Sequence, residues 1–186
     1  MNHLSSHNPL IVACQQRRVR LAQNIQAKSG SGVVILSTAE EKARNRDSDF
    51  PYRHDSDFFY LTGFDEPGAT LVMLIQKTGF ESHLFCRPKD LEREIWDGYR
   101  LGPEAAPEIL HLDAAYSNTD LGKKLPEFLA NQVAIYVRLA SNAQVDRQIR
   151  DWMSHVRQQA RAGTNAPEVF HDIESLIHEM RLFKAP

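Results

Sequence analysis

The chain has 186 residues, 42% of them hydrophobic and 25% charged, and a formal net charge of −2. That length suits one core burying about two thirds of the unfolded surface, and so small a charge gives no electrostatic footprint for nucleic acid or an anionic membrane. Two cysteines, Cys14 and Cys86, exclude any disulfide framework beyond one bridge and read as reduced thiols of a cytoplasmic protein.

Residues 1–8, MNHLSSHN, are expected to be a flexible tail in which His3 and His7 are solvated. Pro9 suits a first helical turn, and Leu10, Cys14, Leu21 and Ile25 share one face of a 3.6-residue period up to the Ser-Gly-Ser-Gly run at 29–32. The apolar group at 10–14 precedes Arg17, Arg18 and Arg20, the reverse of an export leader, and no stretch reaches the ~18 apolar residues of a membrane span. Residues 33–36, 71–75 and 133–137 are apolar without alternation, which predicts strands covered on both faces. A further strand at 83–86 returns from the Lys77-Thr78-Gly79 turn, so the sheet is expected to be mixed. Val145, Ile149, Trp152, Met153 and Val156 make a full helical stripe in which Trp152 and Met153 are core. Leu121, Leu125, Phe128 and Leu129 make another, with Pro126 expected to kink or shorten it, and Ile173, Leu176, Ile177 and Met180 make the last. The fold class is therefore α/β, a three-layer sandwich with a mixed central sheet between helices.

Residues 44–64, RNRDSDFPYRHDSDFFYLTGF, hold six of the sixteen Phe, Tyr and Trp side chains (Phe50, Tyr52, Phe58, Phe59, Tyr60, Phe64) among three arginines and four aspartates. Such a segment has to pair its charges while packing its rings. Pro51 keeps Phe50 extended. Ser56 suits the cap of a short helix with Phe58 and Leu61 inward, and Gly63 its left-handed stop. Asp65-Glu66-Pro67-Gly68 reads as a tight turn with a strand just after it.

PYRHDSDFFYLTGFDEPGA at 51–69, DLEREIWDGYRLG at 90–102 and HEMRLFK at 178–184 occur in one order, and together they resemble the N-terminal domain of the bacterial aminopeptidase P family, the Xaa-Pro aminopeptidases. The likeness runs from about Arg17 to Lys184 and implies one domain over 9–184, with the catalytic domain absent and expected to follow Pro186. It implies a parent that is a dinuclear metallopeptidase, usually with two manganese ions held by that C-terminal domain, which releases the residue before proline. No metal ligand and no catalytic residue is carried over to this chain, which the resemblance makes a non-catalytic domain that shapes access to the active site. Its partners are then its own C-terminal catalytic domain, further copies of the parent in a dimer or tetramer, and Xaa-Pro peptides. Trp96 matches the tryptophan that family members project into a neighbouring subunit's site to pack on the substrate proline. Beside Leu91 and Ile95 it also fits an ordinary core position. Asp47 and Arg161 match a charged contact at the rim of that site, and they also read as plain surface charges; Arg53 and Asp57 are expected to brace the domain internally.

Other chemistries find less support in the residues. His178-Glu179 resembles the start of HExxH, but Leu182 stands where the second histidine is needed. His54, His83, His111, His155 and His171 lack ligand spacing and suit surface or hydrogen-bonded roles. Asp47, Asp49, Asp55 and Asp57 would suit two magnesium ions of an RNase H-like nuclease, yet the interspersed arginines neutralise such a site. A second reading keeps the fold and drops the enzyme: a stand-alone pseudo-peptidase module that binds protein or peptide.

Overall fold

A computed structural model of the chain describes residues 5–182 apart from 160 and 162, so His3 and the terminal 183–186 of the sequence reading lie outside the described residues. The elements in order are α1 (Pro9–Ser29), β1 (Gly32–Ser37), α2 (Ser56–Thr62), β2 (Thr70–Ile75), β3 (Phe80–Cys86), α3 (Leu91–Asp97), α4 (Gly102–Leu110), β4 (Ala114–Ser117), α5 (Leu121–Leu129), β5 (Ala134–Val137), α6 (Ala143–Gln158), β6 (Val169–Asp172) and α7 (Glu174–Leu182). They form a six-stranded sheet in the order β4-β3-β2-β1-β5-β6. β1 pairs parallel with β5, β5 with β6 and β3 with β4, while the four-residue return from β2 to its neighbour β3 permits only an antiparallel pair. The sheet is mixed. Consecutive residues of β1, β2 and β5 are buried on both sides of the pleat, as the unbroken apolar runs require.

Two compact units divide the chain. One comprises residues up to Arg18, Leu36–Leu71 and Ser82–Thr119; the other comprises Val19–Ile35, Val72–Glu81 and the residues from Asp120 onward. In the second, α6 is capped by Asn142, whose side chain accepts from the N–H groups of Gln144 and Val145, and it buries Ile149, Trp152, Met153 and Val156. α5 runs through Pro126 and ends three residues later, so the proline leaves a short helix. The Tyr136 ring stacks on His171 and its hydroxyl donates to Ser29 Oγ at 2.9 Å. Among the described residues no helix is long and apolar enough to cross a membrane.

In the first unit, α2 is capped by Asp55, whose carboxylate accepts from the N–H groups of Asp57 and Phe58, each at 2.9 Å. The cap is thus one residue before the expected Ser56, because that serine already has helical backbone. Gly63 ends the helix with φ 68°, the left-handed geometry expected of it. Phe58, Leu61 and Phe64 are fully buried. The aromatic segment as a whole divides in two: residues 41–50 are exposed, Phe50 included, and the core rings begin only at α2. Arg53 is exposed, so of the two charges expected to brace the interior only Asp57 is buried.

The carbonyls at the end of α2 meet one face of α1. Cys14 Sγ contacts the Phe59 oxygen at 3.7 Å, and Arg17 donates to the Tyr60 oxygen at 3.0 Å while lying 4.2 Å above the Tyr60 ring. Arg18 has no exposed surface; it donates to Leu61 at 2.7 Å, and from the other arm of its guanidinium to Leu110 at 2.9 Å and His111 at 2.7 Å. Burial lowers its pKa to about 10, so it is charged at neutral pH. Replacing Arg18 with Met is expected to cost about 3–5 kcal/mol, because two buried acceptors and one partly buried acceptor lose their donor. Arg17→Met, at a partly buried position, should cost about 1 kcal/mol; urea denaturation of the two variants checks the contrast.

Candidate functional site

α3 and α4 form the crossover that carries the chain from β3 to the parallel β4. α3, LEREIWD, has only seven residues and is too short to persist alone. Asp90 holds its start, the carboxylate accepting from Arg93 N–H at 3.1 Å and the carbonyl from Glu94 N–H at 2.9 Å. Glu92 and Glu94 lie in the first turn, where a helix favours negative charge. Its end is set by Gly98 at φ 83°, ψ 177°, a conformation essentially reserved for glycine.

This short helix presents an apolar ridge. Leu91 is 71% exposed, Ile95 78% and Trp96 87%, with Tyr99 just beyond at 50%. Large side chains so exposed and so close together form an apolar patch of the kind found at interaction sites. Trp96 is therefore not a core residue.

The base of the segment is polar and partly buried. Leu101 N–H donates to Glu66 Oε1 at 2.7 Å, and Arg87 Nη2 lies 3.7 Å from Glu66 Oε2. Burial raises the Glu66 pKa, opposed by the Leu101 hydrogen bond and by Arg87. Lys89 Nζ lies 3.5 Å from Glu94 Oε1, donates to the Arg100 carbonyl at 3.3 Å and sits 4.4 Å from the Tyr99 ring centroid. Neither Glu66 nor Lys89 was legible as a site residue. Glu66 reads as part of a turn, and nothing in the spacing of Lys89, Glu94 and Tyr99 announces that they meet.

A second feature of the same unit is an open groove of about 380 Å³ lined chiefly by residues 50–56 with Ala39, Glu40 and Lys42. The Tyr52 hydroxyl shares a 2.7 Å hydrogen bond with Thr38 Oγ1 there, and His54 stacks on Phe59 with centroids 4.1 Å apart. Asp47 is exposed in the preceding loop, its N–H donating to Asn45 Oδ1 at 2.9 Å. Arg161 is exposed and belongs to the other unit. The histidines are spread through other contacts: His83 is buried and stacks on Tyr116, His111 Nδ1 is 2.9 Å from Gln15 Oε1, and His178 Nε2 is 3.8 Å from Glu174 one turn earlier.

The protein class these features define is given by comparison. The profile of the family described as aminopeptidase P, N-terminal domain, matches residues 14–136, and the chain belongs to that family. Among individual proteins, it is 39% identical over 173 residues to the Xaa-Pro aminopeptidase of Escherichia coli K12, covering 92% of this chain and 38% of that protein. It is 36% identical over 172 residues to the Xaa-Pro aminopeptidase of Haemophilus influenzae, again over 92% of this chain but 37% of the relative. The chain thus spans well under half the length of these relatives. The solved structure of E. coli aminopeptidase P carrying a glutamate-to-alanine change, in complex with substrate, superposes with a TM-score of 0.89 at 37% identity over 95% of this chain and 40% of that one.

The raised pKa of Glu66 has a consequence for stability. A carboxyl whose pKa is higher folded than unfolded contributes most below its unfolded value, near 4.5, and that contribution is lost as pH rises through the folded value. Glu66→Gln removes the titration while keeping an oxygen for Leu101 N–H. The stability of the variant minus that of the unchanged protein should therefore increase as pH rises from about 4 through the folded pKa; denaturant titrations at a series of pH values check the sign.

Proposed function

We propose that this chain is the non-catalytic N-terminal domain of an Xaa-Pro aminopeptidase, which shapes access to a metallopeptidase site and supplies Trp96 to the substrate pocket of a neighbouring subunit. The observation that carries the reading is an indole left 87% exposed at the end of a capped helix. A proline ring offers a flat apolar face, and indole covers it with a large rigid area at small entropic cost. Leu91, Ile95 and Tyr99 flank the indole and are the natural contacts for oligomer or interdomain packing. The rim roles of Asp47 and Arg161 belong to this proposal; both are exposed, as a rim requires.

The family implies two manganese ions, which would supply a bound hydroxide and polarise the scissile carbonyl. The residues around Trp96 do not fit such ions: Glu66 is taken by Leu101 N–H and Arg87, and Glu94 faces Lys89. Within this chain the steps are binding and orientation. The indole packs on the proline ring, and the ridge narrows the approach to the site.

The isolated chain with Mn²⁺ is expected to leave Xaa-Pro peptides intact. A hybrid in which the chain replaces the matching segment of the E. coli relative should hydrolyse them, and Trp96→Ala in that hybrid should lower kcat/KM about tenfold, mainly through KM, as for a lost binding contact of ~1.4 kcal/mol. Turnover by the isolated chain, or an unchanged kcat/KM in the Trp96 variant, would contradict the proposal.

A further inference from the structure

The backbone leaves the body of its unit after Lys89 and rejoins it at Leu101, and one side chain touches the excursion at three places. Lys89 Nζ meets the Glu94 carboxylate on the helix, the Tyr99 ring and the Arg100 carbonyl on the returning backbone beyond Gly98. It therefore ties the outgoing helix to the returning backbone. Glu94 and Trp96 are two residues apart, about 200° round the helix. The face that Lys89 holds is opposite the face that presents the indole, and the exposures agree: the Glu94 side chain is 15% exposed and Trp96 87%.

We propose that Lys89 is a positioning residue, the latch that fixes the direction in which Trp96 points. The inference rests on the reading of Trp96 as a substrate contact and adds the residue that orients it. A single surface ion pair contributes little. An ammonium shared by a carboxylate, a carbonyl and an aromatic face instead restrains a seven-residue helix that has no length of its own to stay rigid. Asp90 caps the helix start and Gly98 turns the chain after it, but neither links the two limbs. Lys89 does.

The first test needs only the chain, with Trp152→Phe so that Trp96 is the sole indole. Lys89→Met is expected to lower the fluorescence anisotropy of Trp96, Lys89→Arg to restore most of it, and neither to move the unfolding midpoint by more than about 2 °C. The second uses the hybrid enzyme. There Lys89→Met should raise KM for an Xaa-Pro peptide about fivefold with kcat nearly unchanged, and should add nothing when Trp96 is already alanine. Unchanged anisotropy, or an equal loss with and without Trp96, overturns the latch while leaving the role of Trp96 standing. If Trp96→Ala itself leaves kcat/KM unchanged, the reading of the indole fails and the latch falls with it.

Discussion

A guanidinium with no exposed surface, joined to three backbone carbonyls, is the constraint on which the Trp96-bearing unit depends. The acceptors are not scattered. Leu61 lies in the last turn of α2, and Leu110 and His111 end α4, so all three are among the carbonyls that a helix leaves without an internal donor. Both helix ends also carry partial negative charge. A cation placed between them satisfies hydrogen-bonding groups and dipoles together, which explains how α1 keeps an arginine on its buried face. A leucine there would pack as well and leave the helix ends bare.

What Arg18 fixes is then transmitted along the chain by short steps. The end of α2 leads through Gly63 and Phe64 to Glu66, and Glu66 holds Leu101 N–H, the residue just before α4. One limb of that path starts from the α2 end that Arg18 grips, and the other enters α4 at the end opposite its Arg18 contacts. The 90–101 excursion hangs between β3 and α4, so its base is set by the buried core and its tip by local contacts alone. Arg87 beside Glu66 and Lys89 two residues on place the polar clasp at that base.

The parts of this arrangement that could be read beforehand are those governed by local rules. Unbroken apolar runs gave β1, β2 and β5, the stripe from Val145 to Val156 gave α6, and Gly63 ended α2 as a left-handed residue must. Edge strands were missed because β4, AAYS, half-buried along its length, and β6, VFHD, mostly exposed, are too short to carry an apolar pattern. α4 was missed because two prolines, Pro103 and Pro107, sit within nine residues; the first is harmless in the opening turn, and the second removes an N–H near the short helix's end. Arg18 was hidden for a different reason: its partners are 43 to 93 residues away, and an arginine in a helical stripe reads as solvated unless the carbonyls it serves are known. The ridge around Trp96 was legible only through family resemblance, since Leu91, Ile95 and Trp96 have the spacing that a buried stripe would also have.

That ambiguity is physical as well as interpretive. A helix buries an apolar face only when something lies against it, and among the described residues Leu91, Ile95 and Trp96 of α3 stay largely exposed. Its helicity is maintained instead by polar contacts, Asp90 at the start and Glu94 against Lys89, and by the turn that Gly98 makes at its end. The usual division, with the apolar face structural and the polar face idle, is reversed. For the substrate contact proposed for Trp96 this reversal is useful, because an indole held by contacts on the far face keeps its surface free. Less rotational and backbone freedom is then lost when a partner covers it. The same reasoning explains why a clasp made of surface charges matters here although such charges contribute little to folding free energy: what they determine is direction.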